Sequence, residues 1–348
     1  MTLAHPPLTV DAGCKDPAML DEWHVIGLTG DFTSGTLYPL RLLERDLVAW
    51  RDTRGVLHVW EDLCVHRGAP LSKGWVRDDH VVCPYHGWRY DGSARCTLMP
   101  AAPADRPMKK ARTFPHPVEE RYGLVWTTLG TPTAPVPAFA EWSDPSYHTV
   151  VCGPWEFRAN GFRSLENFLD ATHFPFVHNG TNGNADAPDV IPPYEVEVSE
   201  EGLVSSEIAV RQPEGDARGV PVISNYTYSV HRPLVGHLRK RMVDADADWN
   251  PVPGTEHFYT NLMTIQPVSE KECVLRVVAA FTMRPGPSDD EVRARLHVVF
   301  TEDQEIVERQ RPERIPADLR FELHHRTDLM GQRYRQYLRS KKISYGII

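Results

Sequence analysis

The sequence predicts an α+β protein of two domains: an all-β N-terminal domain, then one in which an antiparallel sheet precedes helices. Three observations predict it. Thirty Pro and 23 Gly in 348 residues cut the chain into short segments, as strands and turns require and long helices do not. The stretch Thr131-Pro-Thr-Ala-Pro-Val-Pro137 interrupts both helix and sheet and marks a boundary. Beyond it, strand-like runs come first and helical ones follow, the order of an α+β domain. The domains are therefore drawn as 20–135 and 136–348, with 1–19 as an N-terminal extension.

Leu47-Val-Ala-Trp-Arg51 and Val56-Leu-His-Val-Trp60 flank Asp52-Thr-Arg-Gly55 and read as a hairpin. Val81-Val-Cys83 and Tyr122-Gly-Leu-Val-Trp126 read as further strands. In the second domain a helix is expected from Arg163 to about Phe174, stopped by Pro175. Strands are expected at Tyr194–Val198, Val204–Val210, Asn225–Val230, Phe258–Ile265 and Cys273–Met283, with turns at Ser199-Glu-Glu-Gly202 and Arg284-Pro-Gly-Pro287. A helical stretch follows from about Asp289 to Arg339, interrupted near Pro312 and Pro316.

With 41% hydrophobic residues the chain can bury a sizeable core. A formal charge of −9 argues against a general nucleic-acid binder. The short basic runs Arg239-Lys240-Arg241 and Arg339-Ser-Lys-Lys342 read as solvated faces. The first residues carry neither the basic nor the apolar region of a secretory signal, and no apolar run is long enough to span a membrane. Six Cys are too few for a disulfide scaffold. The expectation is a cytoplasmic, reduced protein, in which clustered Cys and His point to metal.

Such a cluster exists. Cys64-Val-His66-Arg-Gly-Ala-Pro70 is followed by Cys83-Pro-Tyr-His86-Gly-Trp88. Thiolates and neutral imidazoles bind borderline and soft metals, so Cys64, His66, Cys83 and His86 can close one site. A structural zinc site would usually group its Cys together. Here each pair is mixed, Cys-x-His and then Cys-x₂-His, which suits a cluster of two unlike irons. In a Rieske [2Fe–2S] centre two Cys hold one iron and two His the other.

CVHRGAPLSKG and CPYHGWRYD resemble the Rieske domain of the Rieske non-haem iron oxygenases. The positions beside the four ligands are Val65, Arg67, Pro84 and Tyr85, so the disulfide-bearing respiratory subtype is not matched. Cys96 is expected to be a buried free thiol.

An oxygenase of this kind needs a second iron with open positions, commonly held by two His and a carboxylate. Asn167-Phe-Leu-Asp170-Ala-Thr-His173-Phe-Pro-Phe-Val-His178 offers the pieces. On a helix Asp170 and His173 would be neighbours, and a break at Pro175 would let His178 swing back. The run matches the family pattern Asn-x₂-Asp-x₂-His-x₄-His. That resemblance implies His173 and His178 as iron ligands. It implies Asp170 as the carboxylate joining the Rieske centre of one subunit to the iron of the next. Asn167 is either a neighbour of the iron or a packing and capping residue. Phe300-Thr-Glu302-Asp303-Gln-Glu305 resembles the family's late acidic segment, which assigns the third ligand to Asp303. Spacing alone does not choose among Glu302, Asp303 and Glu305, and an acidic helix N-terminus would also explain the cluster.

The resemblance runs from Trp23-His24 to about Gln310. It implies a helix-grip second domain and a terminal oxygenase using O₂. Electrons would come from NADH or NADPH through a flavin and iron–sulfur reductase, with or without a ferredoxin. A homotrimer is the expected assembly, with no nucleic-acid or membrane partner. The segments are most similar to members that monooxygenate small aromatic or heterocyclic compounds by N- or O-demethylation or hydroxylation. Ring cis-dihydroxylation of an aromatic acid is the alternative. Arg158, Arg211, Arg232 and Arg239 are candidates to pair with a substrate carboxylate, and Tyr226, Tyr228, Met263 and Phe281 to line a cavity. A Rieske electron carrier and a zinc-stabilised binding protein are the readings from other classes, and metal content separates them.

Overall fold

The computed structural model describes residues 13–200, 202–212 and 219–348. The chain divides into two compact units, Met1–Val136 and Pro137–Ile348.

The first unit is built from three small antiparallel sheets. His24–Leu28, Leu124–Thr127 and Val118–Arg121 form one. Leu37–Leu42, Arg45–Arg51, Leu57–Glu61 and Pro115–His116 form the second. Trp75–Arg77, His80–Val82, Arg89–Tyr90 and Cys96–Leu98 form the third. The expected hairpin is present, with Trp50 opposite His58. Its turn is held by Asp52, whose Oδ1 accepts the backbone N–H of Arg54 at 3.0 Å and of Val56 at 2.9 Å. Gly55 takes the left-handed conformation there, φ +85°. Val48, Trp50, Trp60, Leu71, Val81 and Tyr90 make a core that also encloses Cys64 and Cys83.

The second unit is an eight-stranded antiparallel sheet with helices. Its strands run in the order His148–Phe157, Glu272–Phe281, His257–Ser269, Val235–Asp244, Val222–Arg232, Leu203–Ser205 and Val196–Val198, and Ile208–Gln212 also pairs with Val222–Arg232. Two of these, His148–Phe157 and Val235–Asp244, were not expected. The first carries a Gly-Pro pair and the second the basic run, so neither reads as a continuous apolar strand. The expected strand Val204–Val210 is two short strands.

Helix Asp289–Val307 opens with a capping box. The Ser288 backbone N–H donates to Glu291 Oε2 at 2.8 Å, and Glu291 N–H donates to Ser288 Oγ at 3.3 Å. Its buried residues are Val292, Leu296, Phe300, Asp303 and Val307, one stripe at helical spacing. Phe300 stacks on Trp155 at 4.4 Å, fixing that stripe against the sheet. The acidic segment 302–305 lies in the last turns of this helix. The macrodipole disfavours carboxylates there, so an acidic N-terminus does not explain the cluster.

The expected helix from Arg163 to Phe174 is corrected. A helix spans Gly161–Phe168, capped by Asn160, whose side chain accepts from the N–H of Phe162 and Arg163. A separate short helix spans Phe174–Val177. Pro175 sits in the first turn of this second helix, where its missing N–H costs nothing, and does not stop the first. Asp170 and His173 therefore lie in the connection, not on a helix face. Ion pairs tie Gly161–Phe168 to helix Leu329–Ser340: Arg335 meets Glu166 at 2.6 Å, and Glu322, in the loop before that helix, bridges Arg163 at 2.6 Å and Arg335 at 2.5 Å.

Candidate metal centres

The two Cys–His loops of the first unit are folded alike. The Cys64 N–H donates to Ala69 O at 2.8 Å, and the Gly68 N–H returns to Cys64 O at 2.8 Å. The Cys83 N–H donates to Trp88 O at 2.9 Å, and the Gly87 N–H returns to Cys83 O at 3.0 Å. In both loops the closing glycine is left-handed, at φ +73° and +71°. Each loop thus presents one Cys at its base and one His at its tip. Cys64 and Cys83 are buried, His66 is half-buried and His86 is exposed. The His66 and His86 rings are 4.6 Å apart, and His66 stacks on Trp88 at 4.4 Å.

A metal cluster fits these residues. His66 Nδ1 is buried without a hydrogen-bond partner, which is costly unless a metal takes its lone pair. Burial raises the Cys64 thiol, the Tyr90 hydroxyl and the His66 amide pull it down, and the adjacent Cys83 pushes it up again. Two such thiolates side by side need a cation between them. The Tyr90 hydroxyl, 3.1 Å from Cys64 Sγ, is a contact to a candidate ligand that no sequence spacing announced. Cys96 is a buried free thiol, pushed up to about 11 by burial.

In the second unit, His173, His178 and Asp303 come together, their ligand atoms all within 4.8 Å of one another. Nε2 of His173 and Nε2 of His178 are 3.2 Å apart. Asp303 Oδ1 lies 3.4 Å from the first and 3.2 Å from the second. The outer nitrogens are engaged by carboxylates: His173 Nδ1 meets Asp170 Oδ2 at 3.2 Å, and His178 Nδ1 meets Glu302 Oε2 at 2.8 Å. Protons on the two Nδ1 atoms leave both Nε2 atoms as acceptors. Two imidazole lone pairs and a carboxylate oxygen then converge, and Asp303 Oδ1 is buried without a hydrogen bond. That arrangement repels itself until a cation occupies its centre. Burial raises the Asp303 carboxyl, but imidazoles that carry a proton in place of the metal more than reverse this and hold it below the usual carboxylate range. Burial lowers the His173 imidazole, while Asp170 and Asp303 outweigh it and raise it to about 9. The pocket is built for positive charge.

Asp170 is held by its own turn, Oδ1 accepting from Thr172 N–H and Oγ, each at 2.7 Å. Of the three acidic candidates, Asp303 faces the imidazoles, Glu302 lies behind His178, and Glu305 is exposed beside Arg309. Asn167 lines a cavity that His173, His178 and Asp303 also line.

The cavity differs from the expected one. Tyr226 and Phe281 line it, but Tyr228 and Met263 do not. Both share the inner face, yet they lie fully buried towards the end of the sheet that helix Gly161–Phe168 covers. Arg158, Arg211, Arg232 and Arg239 are not among its lining residues. Arg158 pairs with Glu308, and Arg211 and Arg239 lie over Trp249 and Phe258. Among the described residues, the cations that line it are Lys240 and Arg295. The run Arg239-Lys240-Arg241 is thus not one solvated face. Strand alternation sends Arg241 outward to Glu207 and Glu256 and turns Lys240 into the cavity.

Residues 22–115 match the Rieske [2Fe-2S] domain, and residues 157–342 match the vanillate O-demethylase oxygenase C-terminal domain. The chain belongs to the Rieske non-haem iron oxygenases of that family. Its cofactors are a Rieske [2Fe–2S] cluster and a mononuclear non-haem iron, supplied with electrons by redox partner proteins. Among relatives, the methylxanthine N1-demethylase NdmA of Pseudomonas putida is 29% identical over 289 residues, 81% of this chain and 76% of that one. The oxygenase component of 3-ketosteroid-9-alpha-monooxygenase from Rhodococcus rhodochrous is 32% identical over 180 residues. That match spans 49% of this chain and 46% of the other. Among solved structures, NdmA of Pseudomonas putida CBB5 with caffeine superposes with a TM-score of 0.78 at 26% identity, covering 93% of this chain and 92% of that one. Dicamba monooxygenase bound to 3,6-dichlorosalicylic acid shares the fold, with a TM-score of 0.78 at 23% identity over 93% of this chain and 97% of that one.

Proposed function

We propose that the chain is a monooxygenase that removes a methyl group from the nitrogen or oxygen of a small aromatic or heterocyclic compound. The observation that carries this reading is the cavity itself, which is lined by aromatic side chains and bounded by His173, His178 and Asp303. The demethylases among the relatives support it. Cys64 and Cys83 would hold one iron of the cluster, and His66 and His86 the other. His173, His178 and Asp303 would hold the mononuclear iron, leaving its remaining positions towards the cavity.

When bound, that iron activates O₂ for insertion into a methyl C–H bond. The substrate then carries a hydroxymethyl group on nitrogen or oxygen, which breaks down to formaldehyde and the demethylated ring. Two electrons and two protons accompany each O₂, and the second oxygen leaves as water. Asp170 and Glu302 fix the tautomers of the two imidazoles and keep each Nε2 aimed inward. Asp170 also serves as the link by which electrons reach the mononuclear site from a Rieske cluster. The electron source is NADH or NADPH through a flavin and iron–sulfur reductase, the assembly a homotrimer and the compartment the cytoplasm.

The test begins with iron and sulfide on anaerobically purified protein. About three iron and two acid-labile sulfide per chain, with a Rieske visible spectrum, are expected. Reduced through a surrogate reductase, the protein should release formaldehyde from methoxylated or N-methylated rings in step with O₂ uptake. A cis-diol without formaldehyde would replace demethylation with ring dihydroxylation.

A further inference from the structure

His178 and Asp303 come from elements far apart in the chain. His178 ends the short helix Phe174–Val177, and Asp303 lies in helix Asp289–Val307. After His178 the chain folds into a tight turn. The His178 carbonyl accepts the backbone N–H of Thr181 at 2.9 Å and of Asn182 at 2.8 Å, so the place of the ring follows the place of residues 181 and 182. Arg295 grips that turn from the helix of Asp303. Its guanidinium donates to Thr181 O at 2.8 Å and to Asn182 Oδ1 at 3.1 Å. Hydrogen bonds from a charged donor are the stronger kind.

The same helix holds the His178 ring through Glu302, whose Oε2 is 2.8 Å from Nδ1. Arg295 and Glu302 are seven residues apart, which is about two turns, and so share one face of the helix. Asp303 follows on the buried stripe beside them. One helix therefore supplies a carboxylate to the metal site, a second carboxylate to the ring of His178, and a cation to the backbone that carries that ring.

Asn182 extends the grip to the sheet. Its Oδ1 also lies 3.4 Å from Gln212 Nε2, and Gln212 Oε1 accepts from the Ser224 hydroxyl. Gln212 and Ser224 are buried, so the inner end of this chain of bonds is shielded from water. Asn182, Gln212 and Arg295 all line the cavity, and their network is part of its wall. Arg293, by contrast, makes its ion pairs with Asp289 and Asp290 of its own helix.

Resting on the reading of His173, His178 and Asp303 as an iron site, we infer that Arg295 is a positioning residue for that metal. It acts through the turn 178–182, which it holds at the distance from helix Asp289–Val307 that lets His178 and Asp303 share one ion. Asn182 is its acceptor and the junction at which turn, helix and sheet meet.

The test is competition for the mononuclear ferrous iron between a chelator and the anaerobic, cluster-loaded protein. The Rieske spectrum and circular dichroism record that each variant is folded. Arg295→Met should hold the iron about tenfold more weakly than the parent, the lower end of the range for groups that orient a ligand. Arg295→Lys can reach one acceptor in place of two and should recover part of the loss. Asn182→Ala should weaken the site less, since Thr181 O still accepts from Arg295. Combining Arg295→Met with Asn182→Ala should cost no more than Arg295→Met alone, because both act along one path. With nitric oxide bound to the ferrous site, Arg295→Met should give an electron paramagnetic resonance signal shifted from the parent's, which reports geometry rather than occupancy. Arg309→Met removes a cation that pairs with Glu305 at the end of the same helix, and should match the parent throughout. Parental iron affinity in Arg295→Met, an equal loss in Arg309→Met, losses that multiply in the double variant, or an unshifted signal overturns the inference. A parent protein without chelatable mononuclear iron would instead sink the reading of the site on which the inference rests.

Discussion

Glu302 Oε2 lies 2.8 Å from Nδ1 of His178, while the next residue of the same helix, Asp303, faces Nε2 of that ring at 3.2 Å. One turn of helix thus addresses both nitrogens of one imidazole, with different consequences. Removing Asp303 removes a ligand atom. Removing the charge of Glu302 removes only what orients the ring, a change that typically costs about 10–100-fold in metal affinity. Glu302→Gln should therefore retain mononuclear iron at saturating metal and lose it to a chelator that spares the parent protein. Asp303→Ala should lack that iron throughout. Both should keep the Rieske spectrum. Equal loss in the two variants would show that Glu302 is itself a ligand.

Asp170 stands to His173 as Glu302 stands to His178, but it is also anchored by Thr172. In Asp170→Asn the carbonyl of the amide can still accept from Thr172, so the turn should survive. The negative charge beside His173 is lost. Iron and sulfide per chain should stay near parental values, while turnover falls by about 10–100-fold, the loss being in electron delivery and ring orientation. Rapid-mixing measurement of cluster oxidation after reduction separates this from a substrate effect. A variant that reoxidises its cluster and turns over at the parental rate would end the bridging assignment.

The Tyr90 hydroxyl reaches Cys64 Sγ at 3.1 Å inside the core of the first unit. A hydrogen bond to a ligating sulfur is worth more when the cluster carries the extra electron, so it raises the reduction potential. A bond worth about 1 kcal/mol corresponds to about 40 mV for a one-electron couple. Tyr90→Phe should keep the cluster and lower its potential by about that amount, measured by redox titration of the visible spectrum. An unchanged potential would mean that the hydroxyl is only packing.

Much of this was legible because the deciding forces are local. The hairpin between Arg45–Arg51 and Leu57–Glu61 was readable from Asp52 and Gly55, since an Asx turn and a left-handed glycine need no distant partner. The choice of Asp303 was also available: it falls on the stripe Val292, Leu296, Phe300, Val307, whereas Glu302 and Glu305 fall off it. Pro175 misled, because proline ends one helix and opens another with equal ease, and only the second occurs here. Tyr228 and Met263 misled for a different reason. Strand alternation gives the face of a side chain, but which end of that face a helix covers depends on packing against residues far away in sequence. Lys240 was hidden inside a charged run that composition alone reads as surface.

Gly236 marks where that covering happens. Its backbone is extended within the strand Val235–Asp244, yet a Cβ there would stand 2.7 Å from Leu165 Cδ1 and 3.1 Å from Phe168 Cδ1. Helix Gly161–Phe168 can lie this close to the sheet only because the side chain is missing. Gly236→Ala overpacks the contact, at a cost of about 1–3 kcal/mol. The denaturant midpoint should fall with an unchanged slope, since the extent of unfolding is the same. The helix carries Asn167 and leads into Asp170, so the displacement should reach the metal site. Mononuclear iron should be held less firmly, while the Rieske spectrum stays intact. Gly30→Ala is the matched control, because nothing lies within 4 Å of its added methyl group, and it should leave both midpoint and iron content unchanged. A parental midpoint in Gly236→Ala would show that the helix can retreat without penalty, and that its distance from the sheet does not set the position of Asp170.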